Sequence, residues 1–521
     1  MDNLVVVGAG TMGAGIALCA ARAGWSVDLV EVDAAARAAT PDRLQKEAQR
    51  GACVEAARSI RVLDAIAGSA AATLAIEAVT EQFDVKQRVF AELARHLGRE
   101  AVLATNTSSL PVASLADSVP NPERVIGLHF FNPPLQMKLV EIVRTDKTEP
   151  PVLGIAAAFV RELGKTCVLT GDAPGFIVNR VARPFYLQAL HALQDGIASI
   201  QDMDALARGA HFRMGPFELM DLIGLDVNLA TSESIYERTG FPRLAPVEIQ
   251  RAMVAQHKLG RKTKQGFYSY PEGLRQAAPQ EAAGLARDGQ SMNADECVLV
   301  LGSGERAREF YEIAAQGYES VKLHEDDESV AEVDPATSLV IDVPLRYDGA
   351  RLDMWLALDS AIAEDAVVCV DAYARDFARL PNRVNHPQRF VGFGVVGSLL
   401  QQSVVEIVSA EWSSEEALAV AEDFFARGGK QTRRVVHAPG LYLGSTICSI
   451  INEALYAFAE GVASKDDIET AMQLGTNYPK GPFAWAAEIG ADRVASILDD
   501  VARAKGLSYA SAPVLAMLET T

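Results

Sequence analysis

The sequence predicts an α/β domain built on a mostly parallel sheet, an all-α domain after it, and a second copy of this pair. Three observations support this prediction. The chain opens with an apolar run, a glycine-rich turn and an Ala-rich segment, the pattern of a βαβ unit. Further short apolar runs alternate with helix-like stretches before a long helical region begins near residue 172. Residues 124–143, RVIGLHFFNPPLQMKLVEIV, recur without a gap at 389–408 as RFVGFGVVGSLLQQSVVEIV, an offset of 265.

Length, charge and cysteine usage limit the class of protein. A chain of 521 residues is too long for one hydrophobic core, so several domains are expected. The net charge of −20 disfavours binding to nucleic acid. The six cysteines are isolated, no HExxH motif occurs, and no apolar stretch reaches the ~18 residues of a membrane span. We therefore expect a cytoplasmic protein without disulfides, bound metal, membrane or nucleic acid.

The first functional signal is the glycine-rich turn after the apolar run Leu4–Val7. It reads Gly8-x-Gly10-x-x-Gly13, and Glu31 ends the next apolar run, 23 positions after Gly8. In a Rossmann-like domain such glycines allow the tight turn, the approach of a pyrophosphate and close packing of helix on strand. The N-terminus of the following helix supplies N–H groups to the phosphates. The segment therefore predicts a dinucleotide-binding βαβ unit.

The acidic residue at this spacing favours NAD as the dinucleotide. The Glu31 carboxylate would bind the ribose hydroxyls and repel the 2′-phosphate of NADP. Asp33 is the second choice for this contact. An FAD site and a purely structural glycine turn are the alternatives for the motif itself.

Polar side chains cluster where the next predicted strands end. These strands are residues 73–79, 101–106, 125–131 and 138–143. The polar residues at or after their ends are Glu77, Glu81, Asn106, Thr107, Ser108, Ser109, His129 and Glu141. Since ligands bind α/β sheets outside the carboxyl ends of the strands, these residues define the candidate site.

His129 and Glu141 form the candidate acid–base pair. They lie on consecutive apolar runs joined by a Pro-Pro turn, so a hairpin would bring them together. Imidazole, with an unperturbed pKa of ~6.5, suits proton abstraction from an alcohol near neutral pH. A carboxylate on its other nitrogen would fix the tautomer. A structural histidine beside two phenylalanines and an exposed strand carboxylate are the alternatives.

These segments resemble the L-3-hydroxyacyl-CoA dehydrogenase family. The resemblance runs in order from position 8 to position 270, in GAGTMGAGIA (8–17), IEAVTE (76–81), NTSSL (106–110), GLHFFNP (127–133), LVEIV (139–143), PGFIVNR (174–180), GPFELMDLIGLD (215–226) and GRKTKQGFYSY (260–270). One departure is Lys264, where the family usually has glycine, and it bears on the conformation of that loop.

The resemblance implies a role for each matching residue. His129 corresponds to the catalytic base and Glu141 to the carboxylate that orients it. Ser108 and Asn179 correspond to the groups that hold the substrate oxygens. Contacts to NAD are implied for Gly8, Gly10, Thr11, Met12, Gly13, Glu31, Glu81, Lys86 and Asn106. From the residues alone, Ser108 and Asn179 are also candidates for helix capping, and Lys86 for a solvated position.

The substrate that the resemblance implies is an acyl-CoA, in fatty acid β-oxidation or phenylacetate-type catabolism. Bacterial relatives with two units act on 3-hydroxybutyryl-CoA or 3-hydroxyadipyl-CoA, and the residues do not distinguish them. The basic stretch 37–61 is a candidate for the CoA phosphates, with an ordinary charged helix face as the alternative. A dehydrogenase of free hydroxy or sugar acids and a non-catalytic binding protein remain alternative functions.

The second copy lacks most of the candidate chemistry. The base and the amide of the first copy are replaced by Gly394 and Gly444, whereas Glu406 preserves the carboxylate. The second glycine turn, at 302–307, has an offset of 294 from the first, whereas the later motifs have an offset of 265. The second copy is therefore shorter between this turn and its later motifs. Glu305 in this turn would oppose a dinucleotide phosphate.

We predict five segments in the chain. They are a NAD-binding Rossmann domain at 1–171, a helical domain at 172–270, a linker at 271–294, a degenerate Rossmann-like domain at 295–429 and a second helical domain at 430–521. Because family members dimerise through their helical domains, we expect the two helical domains to pack as an internal pseudo-dimer. Further homo-oligomerisation remains open.

Overall fold

The computed structural model of the chain describes residues 3–271, 296–325, 333–344, 351–374 and 376–520. Except for Pro271, the predicted linker at 271–294 lies outside these ranges. The chain divides into two compact units. Unit 1 comprises residues 1–181, 237–239 and 457–481, and unit 2 comprises residues 182–236, 240–456 and 482–521.

Unit 1 contains the predicted, mostly parallel sheet. Its central strands are mostly apolar and buried on both faces, as is typical of parallel strands, whereas its outer strands are partly exposed. The strand order is β3-β2-β1-β4-β5-β6-β7-β8, and among these pairs only β6–β7 is antiparallel. The strands are β1 (Asn3–Val7), β2 (Ser26–Val30), β3 (Arg61–Leu63), β4 (Leu74–Glu77), β5 (Val102–Thr105), β6 (Val125–Phe130), β7 (Leu139–Arg144) and β8 (Thr166–Gly171).

Helices cover both faces of this sheet. The helices are α1 (Thr11–Arg22), α2 (Ala34–Arg50), α3 (Val54–Ser59), α4 (Phe83–His96), α5 (Val112–Ala116) and α6 (Pro150–Glu162). Leu18 of α1 and Phe159 of α6 lie in one hydrophobic core. Phe90 of α4 and Leu115 of α5 lie in a second core. The two cores fix the helices on the sheet, so the loops at the strand ends are held in place.

The first helical region follows β8 and ends in a loop held by two buried aspartates. Its helices are α7 (Val178–Val181), α8 (Arg183–Gln194), α9 (Ile200–Gly209), α10 (Pro216–Ile223), α11 (Leu225–Thr239) and α12 (Glu248–Ala255). Asp204 accepts a hydrogen bond from the Tyr268 hydroxyl at 2.7 Å, and Asp221 accepts one from the Tyr268 N–H at 2.9 Å. Lys264 has a φ of 60°, so the loop keeps the left-handed backbone that glycine favours.

Unit 2 contains a second sheet with a corresponding strand order. The order is β10-β9-β11-β12-β13-β14-β15, and β13–β14 is its antiparallel pair. The strands are β9 (Cys297–Leu301), β10 (Ser320–His324), β11 (Thr337–Asp342), β12 (Val367–Asp371), β13 (Phe390–Gly394), β14 (Val404–Val408) and β15 (Gln431–Val435). The helices of the second half are α13 (Gly304–Gly317), α14 (Arg351–Ala361), α15 (Glu415–Arg427), α16 (Tyr442–Ala459), α17 (Lys465–Gly475), α18 (Pro482–Ile489) and α19 (Ala491–Lys505).

The two sheets differ at one edge. In the first sheet, residues 31–73 join β2 to β4 and include α2, α3 and β3. In the second, residues 325–336 join β10 to β11. The described residues of the second half therefore contain no counterpart of β3 beside β10. The shortening expected from the two offsets of the repeat falls on this stretch, which carries the basic helices of the first half.

Each unit includes a helix from the other half of the sequence. In unit 1, α17 packs on β7 and β8, and the Gly171 N–H donates to the Val462 carbonyl at 2.7 Å. In unit 2, α9 packs on β14 and β15, and the Val436 N–H donates to the Ile197 carbonyl at 2.8 Å. Adding 265 to 171 and to 197 gives 436 and 462, so the two hydrogen bonds join corresponding positions of the repeat.

Candidate active site

The glycine loop between β1 and α1 leaves space for a ligand at its centre. Gly8 has a φ of 102°, and a Cβ there would lie 2.7 Å from a backbone oxygen of the segment after β4. A Cβ at Gly13 would lie 1.8 Å from the Gly8 carbonyl oxygen. No atom of the described residues lies within 4 Å of a Cβ built at Gly10. The loop, with Thr11 and Met12 opening α1, therefore suits the approach of a pyrophosphate.

Glu31, directly after β2, is bound to the glycine loop. Its Oε2 accepts a hydrogen bond from the Ala9 N–H and its Oε1 from the Asp33 N–H, both at 3.1 Å. Asp33 instead caps α2, because its carboxylate accepts a hydrogen bond from the Ala36 N–H at 2.8 Å. The geometry therefore favours Glu31 over Asp33 as the ribose ligand.

The basic stretch 37–61 uses most of its cationic side chains within unit 1. Arg37 donates to the Glu31 carbonyl at 2.8 Å, and Arg43 donates to the Ala9 carbonyl in the glycine loop. Three further cations, Arg50, Arg58 and Arg61, pair with Glu47, Glu55 and Asp28 at 2.7 to 2.8 Å. Exposed pairs of this kind are weak, so they leave these cations available to a phosphate. Binding of CoA by this stretch stays a prediction.

Lys86 is fully buried beneath the strand ends. Its Nζ donates to the two carboxylate oxygens of Glu77 at 2.8 and 3.0 Å and lies 3.2 Å from Glu81. The Thr105 hydroxyl donates to the same Glu77 carboxylate at 2.7 Å. A solvated position for Lys86 is thus wrong. The lysine holds two carboxylates beside the candidate cofactor site, so a contribution to cofactor binding would pass through them.

Glu81 organises the loop that follows β5. Its carboxylate accepts hydrogen bonds from the Thr107 hydroxyl at 2.5 Å and from the N–H groups of Ser108 and Ser109 at 2.9 and 3.1 Å. Burial alone would raise the pKa of Glu81, but the Lys86 charge and these hydrogen bonds outweigh it and lower the pKa. Glu81 is therefore ionised at neutral pH and fixes the backbone that carries Ser108.

Asn106 connects the end of β5 to the strand of the candidate base. Its side-chain oxygen accepts a hydrogen bond from the Phe130 N–H at 2.9 Å. Phe130 follows His129 on β6. Asn106 therefore stands between the candidate cofactor loop and the candidate base, and its side-chain N–H₂ group is the remaining donor for a ligand.

His129 and Glu141 form a buried pair across the antiparallel strands. The two residues are direct partners in the register of β6 and β7. Nδ1 of His129 lies 2.6 Å from Oε2 of Glu141, and the side chains are 7% and 0% exposed. A neutral imidazole with its hydrogen on Nδ1 would donate a hydrogen bond to the carboxylate at this contact, and Nε2 would then hold the lone pair. The predicted hairpin is confirmed.

Two backbone groups hold the other oxygen of Glu141. The N–H groups of Ile177 and Val178 donate to Oε1 at 3.0 and 2.9 Å. These donors open the segment that carries Asn179, well beyond the hairpin itself. A buried carboxylate needs such partners to remain charged. One carboxylate therefore connects His129 to the half-buried Asn179 region.

The corresponding place in unit 2 has a buried carboxylate and a glycine at the position of the histidine. Gly394 is the register partner of Glu406 on β13 and β14. Oε1 of Glu406 accepts hydrogen bonds from the N–H groups of Tyr442 and Leu443 at 3.0 and 3.1 Å. In the gapless repeat these two positions correspond to Ile177 and Val178. Burial raises the pKa of Glu406 to about 7, although its hydrogen bonds oppose the shift.

Tyr373 packs against Gly444 and binds Glu406 in unit 2, while Leu441 lies against Gly394. Its hydroxyl donates to Oε2 of Glu406 at 3.1 Å, where the first half has the histidine. A Cβ built at Gly444 would lie 2.4 Å from the Tyr373 ring. Position 373 corresponds to Ser108 in the repeat, so serine, histidine and asparagine have become tyrosine and two glycines. The sequence-based prediction missed Tyr373, although the gapless alignment shows this exchange.

Two arginines bind a buried aspartate of the second sheet in unit 2. Arg306, near the start of α13, donates to Asp371 at 2.6 Å, and Arg493 donates to the same carboxylate at 3.2 Å. Asp371 is the counterpart of Asn106 in the repeat. Gly302 still turns tightly, with a φ of 138°. The turn is thus retained, while a buried ion pair replaces the polar amide of the first half.

Metal-binding and membrane-spanning features are absent from the described residues. No group of three or more His, Cys, Asp or Glu side chains there could hold a metal ion. No helix in the described ranges is long and apolar enough to cross a membrane. All six cysteines are free thiols.

Comparison with known sequences assigns both kinds of domain. The family model "3-hydroxyacyl-CoA dehydrogenase, NAD binding domain" matches residues 3–173. The model of the C-terminal domain of the same family matches residues 175–270 and again residues 440–520. The glycine loop and Glu31 thus belong to a domain whose cofactor is NAD, and the described residues fit that cofactor.

Individual relatives agree with this assignment. A 3-hydroxyadipyl-CoA dehydrogenase from Escherichia coli K12 is 33% identical over 516 residues, which is 96% of this chain and 94% of the relative. A 3-hydroxybutyryl-CoA dehydrogenase from Bradyrhizobium diazoefficiens is 36% identical over 51% of this chain and 94% of its own. The crystal structure of a 3-hydroxybutyryl-CoA dehydrogenase from E. coli K12 matches with a TM-score of 0.77 and 32% identity, covering 99% of this chain and 98% of that one. The chain is a member of the 3-hydroxyacyl-CoA dehydrogenase family of NAD-dependent oxidoreductases.

Proposed function

We propose that the chain oxidises an L-3-hydroxyacyl-CoA to the 3-oxoacyl-CoA with NAD, and that His129 is the general base. The observation that carries the proposal is the buried His129–Glu141 pair at the strand ends, in the same unit as a dinucleotide-type glycine loop. Membership of the family and the acyl-CoA substrates named for its relatives support the substrate class.

His129 would take the proton of the substrate hydroxyl on Nε2. Glu141 binds Nδ1 and would stabilise the imidazolium as it forms, in the manner of a catalytic triad. NAD supplies, when bound, the acceptor for the hydride that leaves C3 of the substrate. The two backbone N–H groups on Glu141 keep the carboxylate in place during this proton transfer.

Other residues of unit 1 would position the reactants. Ser108 and Asn179 would hold the substrate oxygens, and Glu81 would fix the Ser108 loop. For the cofactor, the glycine loop would receive the pyrophosphate and Glu31 the adenosine ribose. Asn106 would lie on the nicotinamide side, with Lys86 acting through the carboxylates it holds.

The acyl group is proposed to be short. Two relatives that match more than nine-tenths of this chain are named for 3-hydroxyadipyl-CoA and 3-hydroxybutyryl-CoA, and we propose a place in β-oxidation or phenylacetate-type catabolism on that ground. The six free cysteines support the reducing cytoplasm as the compartment.

Consumption of NADH with acetoacetyl-CoA tests the proposed function. We expect turnover with the thioester and none with free acetoacetate. Equal rates with both compounds would favour a dehydrogenase of free hydroxy acids. If the protein reduced neither compound, although a thermal melt of the same sample showed a cooperative transition and hence a folded protein, the proposal would be rejected.

We further propose that the second half is a full duplicate whose two helical domains form an internal pseudo-dimer. The matches of one family model to 175–270 and 440–520 support the duplication. Contacts within unit 2 support the packing, among them the hydrogen bond from Gln188 to Ser449 at 3.2 Å. A fragment of residues 1–294 is expected to be inactive or aggregated. A fully active, monodisperse and monomeric fragment would contradict this proposal.

A further inference from the structure

Segment 457–481, which comes from the second half of the sequence, lies in unit 1. It contains the end of α16, a turn and α17, and it packs on β7, β8 and α7. Strand β7 carries Glu141, and α7 carries Asn179. The segment therefore touches the elements that hold two of the proposed catalytic residues.

Glu460 of this segment binds the residue directly after Asn179. The Arg180 guanidinium donates to both Glu460 carboxylate oxygens, at 2.6 and 3.0 Å. The Arg180 side chain is 1% exposed and that of Glu460 is 39% exposed. A bidentate pair of this kind fixes orientation as well as distance. It therefore limits the rotation of the short helix that carries Asn179.

Gly475 of the same segment packs against the residue directly before Asn179. A Cβ at Gly475 would lie 2.8 Å from Cγ2 of Val178 and 2.9 Å from Cδ2 of Leu139 on β7. Only a residue without a side chain allows this approach. Val178 also donates its N–H to Glu141. The neighbours of Asn179 on both sides are thus held by residues from the second half of the sequence.

The Arg180–Glu460 ion pair lies in the same unit as His129 and has no equivalent at the corresponding positions of the unit that contains Gly394. At the offset of the repeat, the counterparts of Arg180 and Glu460 are Ser445 and Asp195. Ser445 donates its hydroxyl to the Tyr442 carbonyl at 3.0 Å, and Asp195 is exposed. A serine and an aspartate do not form an ion pair. The contact is therefore not a general requirement for packing the repeated helices on the sheets.

We propose that Glu460 is a positioning residue for catalysis in the first half. Through Arg180 it would hold α7 so that Asn179 meets the substrate and the Val178 N–H meets Glu141. This inference rests on the proposed dehydrogenase function. It also gives the second half of the sequence an indirect role, because Glu460 comes from that half and helps to fix α7.

The test compares Glu460→Gln and Glu460→Asp with Asp195→Asn in the full-length chain. Glu460→Gln keeps the shape and removes the charge, so we expect kcat for acetoacetyl-CoA reduction to fall by about 5- to 30-fold. KM for NADH should not change, because the glycine loop and Glu31 make no contact with this pair in the described structure. Glu460→Asp should restore part of kcat, and Asp195→Asn should behave as wild type.

A second measurement separates this inference from the proposed function. Hydrogen exchange of the peptide 172–181 reports the Ile177 and Val178 amides without any substrate. We expect faster exchange there in Glu460→Gln and unchanged exchange in Asp195→Asn. Unchanged kcat and unchanged exchange in Glu460→Gln would overturn the inference, as would an equal loss of kcat in Asp195→Asn. If wild type failed to reduce acetoacetyl-CoA, the proposed function would fall, and the exchange rates would still decide whether Glu460 fixes α7.

Discussion

Replacing His129 with glutamine should lower kcat for acetoacetyl-CoA reduction by a factor between about 10² and 10⁴. In the proposed mechanism the imidazolium would give its proton to the forming hydroxyl in this direction, and Nε2 would accept it in the reverse direction. The glutamine amide has a similar size and can form hydrogen bonds, but it cannot transfer a proton at neutral pH. Initial rates at saturating NADH measure the effect. KM for NADH should stay within error, since His129 makes its described polar contact with Glu141.

A second histidine provides the control for this substitution. His437 also lies against a phenylalanine, with ring centroids 5.1 Å apart from Phe377, and burial lowers its pKa. It has no proposed part in the reaction, so His437→Gln should retain the wild-type rate. A loss smaller than about 100-fold in His129→Gln would show that another group transfers the proton.

Replacing Glu141 with glutamine should have an effect of the same order, for a different reason. The Ile177 and Val178 N–H groups require an oxygen at the position of Oε1, so the amide would place its N–H₂ group opposite His129. Nδ1 would then have to accept a hydrogen bond, and the imidazole proton would move to Nε2. The lone pair facing the substrate would be lost, and we expect kcat to fall by about 10² to 10⁴.

The fold of the Glu141→Gln variant should remain intact. The side chain keeps its size and its two backbone donors, so the thermal midpoint should change by no more than a few degrees. Rates at saturating NADH and acetoacetyl-CoA, with a thermal melt of the same sample, measure both quantities. A loss below about tenfold would mean that the carboxylate does not set the tautomer of His129.

The local part of the site could be predicted from the sequence. The glycine spacing, Glu31, and the hairpin that pairs His129 with Glu141 depend on short-range patterns, namely a turn, a helix start and alternation along two strands. These patterns are fixed by backbone geometry within about 30 residues. The strands predicted at 73–79, 101–106, 125–131 and 138–143 are confirmed as β4 to β7 for the same reason.

The parts that were missed depend on contacts distant in sequence. The donors to Glu141 come from residues 177 and 178, and the partner of Arg180 is Glu460. Neither contact has a local pattern. The contacts of Lys86 with Glu77 and Glu81 could not be predicted either, and its role around the cofactor stays a prediction. At the offset of the repeat, Arg351 and Asp342 correspond to Lys86 and Glu77, and they pair at 2.6 Å. The buried ion pair therefore also occurs in the second half, where the candidate base is absent.

Tyr373 helps to explain how the second half packs without a histidine and an asparagine at the positions of His129 and Asn179. Removing a histidine and an asparagine from a core would leave a cavity, which is destabilising. The Tyr373 ring lies against Gly444, Leu441 lies against Gly394, and the Tyr373 hydroxyl donates to the Glu406 carboxylate. Burial and the nearby Glu406 charge raise the pKa of Tyr373 well above its usual value, so the hydroxyl stays protonated as the donor. The second site is therefore packed as a core.

The central claim is that proton transfer takes place at His129 and Glu141 of the first half and not at Glu406 of the second, and paired substitution of Glu141 and Glu406 tests it most directly. Both carboxylates accept two backbone N–H groups at 2.9 to 3.1 Å, so glutamine keeps these contacts at both positions and changes only the group that faces His129 or Tyr373. The measurement is kcat for acetoacetyl-CoA reduction by the two full-length variants. We predict a loss of about 100-fold or more in Glu141→Gln and a wild-type rate in Glu406→Gln. Equal losses in the two variants, or a larger loss in Glu406→Gln, would contradict the claim.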